Sequence, residues 1–599
     1  MSLAESPHLL RFNRAFVALC GGLFLLAPLY YQDNLGGEGL YIPFNNVVWV
    51  FTSFIIGLGL IRLLTSNQVR VPPLTLPLLF FVAVTTLLGV INEVSTPVSW
   101  LFRNLAIWGG VLLFFAAAQF PLNRRWGERL LYVLVASSLL QALICLAQLT
   151  ITSPPLGWLP QSPGVPRGIF QQQNLAATFL ATGLAACFYL VTAPGFRRSA
   201  AAAKALLLSA ATLNTMILLT AGSRVGLLAA TISLLLIGAC RLRPLLNRPR
   251  YGVFFLVAVL IGAGIGTQLE SRTGGFSSTL DKLEAVSSGT DDPQRGDVRL
   301  MIYGSSWDLF KQAPIMGHGI GGFQKAWHDY KPLYHDKHPD AAFLKDRLTH
   351  PHNEILFWGL EGGLLALLGL LVVAVAFLRQ IFRLGWQRGG AYLALVIPIT
   401  LHTQVELPFY ISQLHWLTLM LLVALAASHH VRTRPVRLSR MARPLVLATG
   451  VAIPTLVTVF MSHSLVANRY LTDVTFTQAP QAEQAKKLRF AEQNLFYQDR
   501  AEFIAMQGLL RYALAKPEPA LLPRYIDWAE AFLEVIPEAS IMSALAVALY
   551  ENGQEQEGAE MITHAIALYP TQAPVRQAED YLNKQGLEFN VPRPGYLKP

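Results

Sequence analysis

The chain has 599 residues, 53% of them hydrophobic and only 14% charged, with a mean hydropathy of +0.42. That is more apolar surface than one soluble core can hide, so the composition excludes an ordinary soluble protein and points to a polytopic membrane protein. The net charge of +11 does not imply nucleic acid, because the basic residues fall in short clusters between apolar runs, as cytoplasmic loops do.

Roughly 17 to 25 apolar residues cross a bilayer as a helix. On that measure spans are expected near 15–31, 45–62, 74–91, 101–118, 130–150, 173–192, 205–221, 225–240, 251–267, 353–378, 390–405, 412–428 and 444–462, about 13 in all. The first runs into Tyr30, Tyr31 and Gln32 without a small-residue cleavage site, so it reads as a retained span. Cys20, Cys145, Cys187 and Cys240 fall in or at the end of apolar runs and form no CxxC, so packing is their expected role. The expected fold class is all-α: a membrane helical bundle with helices 1–9 in residues 1–267, a large loop over 268–352, helices 10–13 in 353–462, and a helical domain over 463–599.

Basic residues set the expected orientation. With Arg11 and Arg14 on the cytoplasmic side, alternate loops carry Arg62 and Arg70; Arg124, Arg125 and Arg129; Arg197, Arg198 and Lys204; Arg241, Arg243, Arg248 and Arg250; Arg379, Arg383 and Arg388; and a final group from Arg432 to Arg443. That places twenty-two cations inside, against Arg103, Arg167 and Arg224 in the short outer connections. The reading is N-terminus in, and both polar portions outside. Within the last portion, IMSALAVALYENGQEQEGAEMITHAIALYP resembles a tetratricopeptide unit, with helices either side of Asn552-Gly553 and closure at Pro570. Such a stack binds a peptide or protein, or else braces the membrane part.

The three outer arginines break the charge rule, and each stands just before or at the start of a helix running inward: Arg103 in SWLFRNL, Arg167 in PRGIFQQQNLA and Arg224 in TAGSRVGLL. Helix N-termini carry partial positive charge and bind phosphate, and arginine adds a fixed fork suited to phosphate oxygens. Snorkelling to lipid headgroups is the ordinary alternative for a single arginine. The polar clusters beside these ones, Gln172, Asn174 and Ser223, favour an anion site.

His352, in THPHNEILFWGLEGG, opens the tenth span from the same side. An imidazole has a reference pKa of about 6.5, and a helix N-terminus disfavours its protonation, so it suits a base that takes a proton from a hydroxyl. Asn353 beside it reads as a helix cap. Glu406, in HTQVELPFY, is the remaining candidate, able to orient a histidine, position a hydroxyl or pair with an arginine; the bland reading leaves it in water at a helix end.

Gln172-x-Asn174, Ser223-Arg224-x-Gly226, PIMGHGIGGF, His352-Asn353-x-x-Leu356 and Glu361-Gly362 together resemble the O-antigen ligase and polymerase superfamily. HPHNEILFWGLEGG with HTQVELPFY and a C-terminal outer domain is similar to its bacterial protein O-oligosaccharyltransferase branch, the pilin-glycosylating type. One departure is Gln173, where that pattern has proline. The resemblance implies a glycosyltransferase of the bacterial inner membrane that moves an oligosaccharide en bloc from undecaprenyl-pyrophosphate to Ser or Thr of a periplasmic protein such as a type IV pilin. No metal or other cofactor is implied. His352, Arg224 and Glu406 would be catalytic. Arg167, Arg103, Arg299, Gln172, Asn174, Ser223 and Asn353 would hold pyrophosphate or glycan. An O-antigen ligase, with lipid A-core as acceptor, is the alternative within the family.

Other readings fare worse. The His and Asp residues between His328 and His352 lack a fixed metal spacing such as HExxH. Gly317, Gly319 and Gly322 match GxGxxG only formally, with no preceding strand. A transporter would put charges near span centres, whereas here they lie at span ends.

Overall fold

The structure is a computed structural model that describes residues 7–122, 124–151, 160, 162, 164–273, 298–339, 341, 344, 347–477, 480–516, 520–587 and 589. Part of the large loop, residues 274–297, and the last residues of the C-terminal portion lie outside this set. Among the described residues the chain is mostly helical, with two short strands. In chain order the principal helices are α1 (Pro7–Gly21), α2 (Pro43–Ser66), α3 (Thr75–Ile91), α4 (Pro97–Ala118), α5 (Arg124–Thr150), α6 (Gln173–Thr192), α7 (Ala201–Thr220), α8 (Arg224–Cys240), α9 (Pro249–Thr273), α10 (Val298–Gln312), α11 (Phe323–Lys337), α12 (Glu354–Arg383), α13 (Gly385–His402), α14 (Gln413–Ala427) and α15 (Ala442–Phe476). Six more follow: α16 (Gln481–Glu492), α17 (Gln498–Ala515), α18 (Leu521–Leu533), α19 (Ala539–Glu551), α20 (Glu555–Leu568) and α21 (Ala573–Lys584). Each of the thirteen expected apolar runs overlaps one of the helices from α1 to α15, the first continuing past α1 through short π- and 3-10 turns to Leu29. Among the described residues, nine helices are long and apolar enough to cross a bilayer. This is a multi-pass membrane protein.

Contacts divide the chain into two compact units, Met1–Val82 with Leu105–Ser287 and Leu370–Thr472, and Ala83–Asn104 with Ser288–Gly369 and Asp473–Pro599.

The first unit is built around α6, whose buried face is nearly its whole surface and is rich in Ala176, Ala177, Ala181, Ala185 and Ala186. Small side chains let backbones approach closely, which is how helices associate where lipid removes the hydrophobic drive. A Cβ on Gly226 of α8 would stand 2.6 Å from that of Ala177, so the first turns of α6 and α8 meet only because position 226 is glycine. At another edge of this unit Asn67, with φ +48°, ends α2 and turns the chain into β1 (Gln68–Val71). β1 pairs antiparallel with β2 (Arg432–Pro435), in register Gln68 with Pro435 and Val71 with Arg432. The pairing sets Arg70 beside Thr433, in loops that the charge count assigns to one side of the membrane.

The second unit includes the last six helices, α16 to α21. Helix α19 has two working faces: Ile541, Leu545, Ala548 and Leu549 pack with Met506, Tyr525 and Ala529, while Ala539, Met542 and Ala546 pack with Ile562, Ala565 and Val575. Helices α19 and α20 lie together across the turn at Asn552-Gly553, where Gly553 has φ +82°. These helices dock on α11 through a buried polar network. The ammonium of Lys331, 1% exposed, donates to the carbonyls of Leu568 (2.8 Å) and Leu344 (2.6 Å), so a cation caps the C-terminus of α20. Tyr569 donates its O–H to the Pro537 carbonyl at 2.6 Å and stands 3.2 Å from His328 Nδ1. His328 Nε2 accepts from the Leu348 N–H, which leaves Nδ1 as the protonated nitrogen of a neutral ring. Both nitrogens of this histidine are thus engaged by protein. Asp340 and Asp346 of the same His/Asp-rich stretch lie outside the described residues.

Burial, with Lys331 and Arg347 nearby, holds the His328 imidazole well below its ordinary pKa; burial and Lys331 push His335 down to about 4. Folded protein therefore declines protons that the unfolded chain accepts below about pH 6.5, and stability drains away as pH falls toward 4. The transition temperature of the full chain in detergent should drop steadily from about pH 7 to about pH 5, and His335→Gln should flatten that slope. A level profile in the parent chain would contradict the burial argument.

Candidate active site

In the first unit, the candidate residues gather where α6 and α8 begin. Ser223 is the N-cap of α8: its hydroxyl accepts from the Gly226 N–H (3.3 Å) and donates to Asn174 Oδ1 (2.8 Å) in the first turn of α6. One buried hydroxyl therefore ties two helix N-termini together, and their partial positive charges add. Arg224, the first residue of α8, is exposed and has no side-chain partner among the described residues. Arg167 is also exposed and its guanidinium likewise has none, but its backbone is tightly held. Gln148 Oε1 accepts from the N–H groups of Arg167 (3.0 Å) and Gly168 (2.9 Å), its Nε2 donates to the Gly168 carbonyl (3.1 Å), and Gln141 Oε1 accepts from Ile169 (3.1 Å). After a short turn over Gly168–Phe170, Gln171 takes φ +60° and Gln172 becomes the extended N-cap of α6. The Oε1 of Gln172 is buried without a partner among the described residues. Gln173 occupies the first helical position, the one place where proline and other residues are nearly interchangeable, so the departure from the family pattern leaves the turn intact.

Helix α13 packs on α6 and α8, and His402 at its end shares a 2.9 Å hydrogen bond with Thr178, one turn into α6. Glu406 follows, its N–H bonded to the His402 carbonyl. At 6% exposure it is buried, not a carboxylate left in water. His415, also buried, has both nitrogens engaged: Nε2 donates to the Leu175 carbonyl (3.1 Å) and Nδ1 accepts from Ser412 (2.8 Å).

In the second unit, Asn353 caps α12, its Oδ1 accepting from the Leu356 N–H at 2.9 Å. His352 precedes it with φ +52°, a left-handed conformation uncommon outside glycine, although histidine adopts it more readily than most residues. Its N–H donates to His350 Nδ1 (3.3 Å), and the two imidazoles meet edge to face at 4.6 Å. PIMGHGIGGF forms a tight turn with φ of +71°, +88° and +79° at Gly317, Gly319 and Gly321, not a dinucleotide loop. The turn is stitched on both sides, by Ile320 to Glu93 and Ser95, by His318 to Leu360, and by Leu364 to Pro314.

Arg103 lies in this unit as the ion-pair partner of Glu361, whose other oxygen accepts from the Gly321 N–H at 3.0 Å. The guanidinium also sits 3.9 Å over Trp358 and 4.8 Å over Phe357. Its charge is thus committed within the protein. Arg299 is exposed in the first turn of α10. The structure joins Asn174 to Ser223 and Arg103 to Glu361. Sequence reasoning did not single out Glu361 as a site residue, nor Gln141 and Gln148. The two glutamines stand seven apart in an apolar run, hence on one helix face, and that spacing was the available signal.

Two family models match the chain: one described as O-antigen ligase over residues 205–371, the other as virulence factor membrane-bound polymerase, C-terminal, over 391–581. The chain belongs to the O-antigen ligase and polymerase superfamily. It is accordingly a glycan-transferring membrane enzyme that works with a lipid-linked glycan donor. A search among curated proteins gave no match.

Glu361→Ala should strand a largely buried arginine and release Gly321, at a cost of about 3–5 kcal/mol, whereas Glu361→Gln keeps an acceptor for the Gly321 N–H and should cost less. Thermal unfolding in detergent separates the two. Equal losses would show that the charge on Glu361 is unimportant.

Proposed function

We propose that this enzyme transfers an oligosaccharide en bloc from undecaprenyl-pyrophosphate to Ser or Thr of an exported protein such as a type IV pilin, on the periplasmic side of a bacterial inner membrane. The observation that carries this reading is the pair of helix N-termini joined by Ser223 and Asn174, with Arg167 and Arg224 exposed beside them and without side-chain partners among the described residues. As the anomeric C–O bond to pyrophosphate breaks, negative charge develops on the leaving oxygens. Preorganised cations and helix N–H groups stabilise that charge more than they stabilise the donor, which is the condition for accelerating the step. The acceptor oxygen forms the new bond to the anomeric carbon, and its proton passes to the imidazole of His352. Undecaprenyl-pyrophosphate departs.

Asn353 fixes the backbone from which that imidazole projects. Arg299 adds a third cation, and the Gln172 oxygen, without a partner among the described residues, and Asn174 offer polar groups to sugar hydroxyls. Glu406 orients a neighbouring polar group or the incoming hydroxyl. Arg103 we assign to holding α12 through Glu361 and not to phosphate. The C-terminal helices, read as a tetratricopeptide-like stack, receive the acceptor protein, which distinguishes this reading from transfer to lipid A-core.

Arg224→Ala and His352→Ala should each abolish glycan transfer while the chain still inserts. Arg388→Ala should leave transfer nearly unchanged. Mass spectrometry of exported glycoproteins from cells carrying each variant at native expression checks all three, and wild-type glycan occupancy in either of the first two defeats the mechanism. Lipopolysaccharide that loses its O-antigen in the null strain, with exported proteins unaltered, would favour the lipid acceptor instead.

A further inference from the structure

Helix α10 carries apolar residues on its outside as well as its inside. Its inward face buries Ser305 and Ser306, both 0% exposed, beside Met301, Ile302 and Leu309, while Leu300 is 72% and Trp307 56% exposed on the outside. Leu300 and Trp307 are seven residues apart and so stand nearly in line along the helix. Ile315, just beyond the helix end, is 62% exposed. A helix in water would turn such residues in and its serines out. Single exposed apolar residues need no explanation, but an indole and two aliphatic chains outside a face that hides hydroxyls do.

What lies against α10 indicates what covers it. Trp307 stacks on Phe310, with ring centroids 5.5 Å apart, and the Phe310 ring comes within 3.6 Å of where a Cβ on Gly359 of α12 would stand. The Ile315 carbonyl lies against Gly363 so closely that a Cβ there would be 2.2 Å away, and the Leu364 N–H donates to Pro314 at 2.8 Å. Helix α12 is long and apolar enough to cross a bilayer, and it exposes Ile355 (50%), Leu364 (53%) and Leu368 (46%). Gly359 and Gly363 are five and nine residues from its start, about 8 Å and about 14 Å along the axis. The outer face of α10 is therefore continuous with the exposed apolar surface that α12 presents on both sides of Gly363.

We propose that α10 lies in the bilayer interface, with the Leu300–Trp307 face and Ile315 immersed among the acyl chains. Interfacial helices sink about 5–10 Å, place tryptophan at the headgroup level and keep basic ends in water. Arg299 at the start and Lys311 at the end supply such ends; Asp308, a quarter turn from Trp307, has its carboxylate met by Lys311 (2.6 Å) and the Tyr330 hydroxyl (3.2 Å). The occupant is lipid, not a second protein.

The test uses the full chain in nanodiscs of phosphatidylethanolamine and phosphatidylglycerol, with nitroxide labels at Leu300→Cys or Trp307→Cys. Leu368→Cys serves as lipid reference and Asp580→Cys as water reference. The four native cysteines are buried, and unmutated chain gives the labelling background. Collision with oxygen against collision with a water-soluble nickel chelate should give both α10 positions the ratio found at Leu368. The ratio found at Asp580 would overturn the proposal, and so would protection from both reagents, which would mean a protein partner. Brominated lipid should also quench an emission component present in the parent chain and missing from Trp307→Phe, a comparison that does not depend on the labelled variants folding; no difference between the two would count against immersion.

Discussion

A helix end in a low-dielectric surrounding must find partners for its unpaired backbone groups, because no water is at hand to supply them. That requirement organises both units of this protein. Ser223 meets it for α8 and reaches across to α6; Asn353 meets it for α12; Lys331 meets it for the carbonyl end of α20; and Gln148 answers three backbone groups in the turn before α6. Each solution uses a side chain from a neighbouring segment or the next turn, so satisfying the backbone also fixes how the segments join. The polar residues that stand out in the sequence are largely these.

Once the backbone is satisfied, what distinguishes the arginines is whether an acid is provided for them. Arg103 has Glu361 and two aromatic faces, whereas Arg167 and Arg224 have no side-chain partner among the described residues. A guanidinium already paired offers little to a phosphate, since it would have to leave one anion for another. An exposed one beside a helix N-terminus offers its full charge and loses little of it to solvent when a substrate excludes water. The three arginines look alike by position in the chain, and the difference between them comes entirely from residues far away.

That contrast also shows how far the sequence could be read. Apolar length marked thirteen runs that overlap helices, nine of them long and apolar enough to span among the described residues, because spanning is a local property of composition. The Ser223-Arg224 and His352-Asn353 clusters were legible for the same reason: capping and charge at a helix start act over three or four residues. Arg103 with Glu361 joins positions 258 apart, and the burial of Glu406 depends on what packs around it; neither leaves a periodic trace. Helix α10 escaped notice because its pattern is scored against water, and the serines it buries make it look like loop.

The left-handed backbone at His352 gives the remaining step. The direction in which the His352 side chain leaves the start of α12 is set by the main chain on either side of it. Here Asn353 caps the following helix, Glu361 holds the second turn of that helix through Arg103 and Gly321, and Gly363 interrupts it immediately afterwards with φ +60° and ψ −155°. The segment from 352 to 363 is therefore fixed at its beginning and near its end by side-chain hydrogen bonds, and a non-helical residue marks its boundary with the rest of α12. Left-handed strain at a residue without glycine's freedom costs on the order of 1–3 kcal/mol, and it persists only where surroundings over-determine the backbone. Those two anchor points, together with the His352 N–H held by His350 Nδ1, over-determine the backbone there.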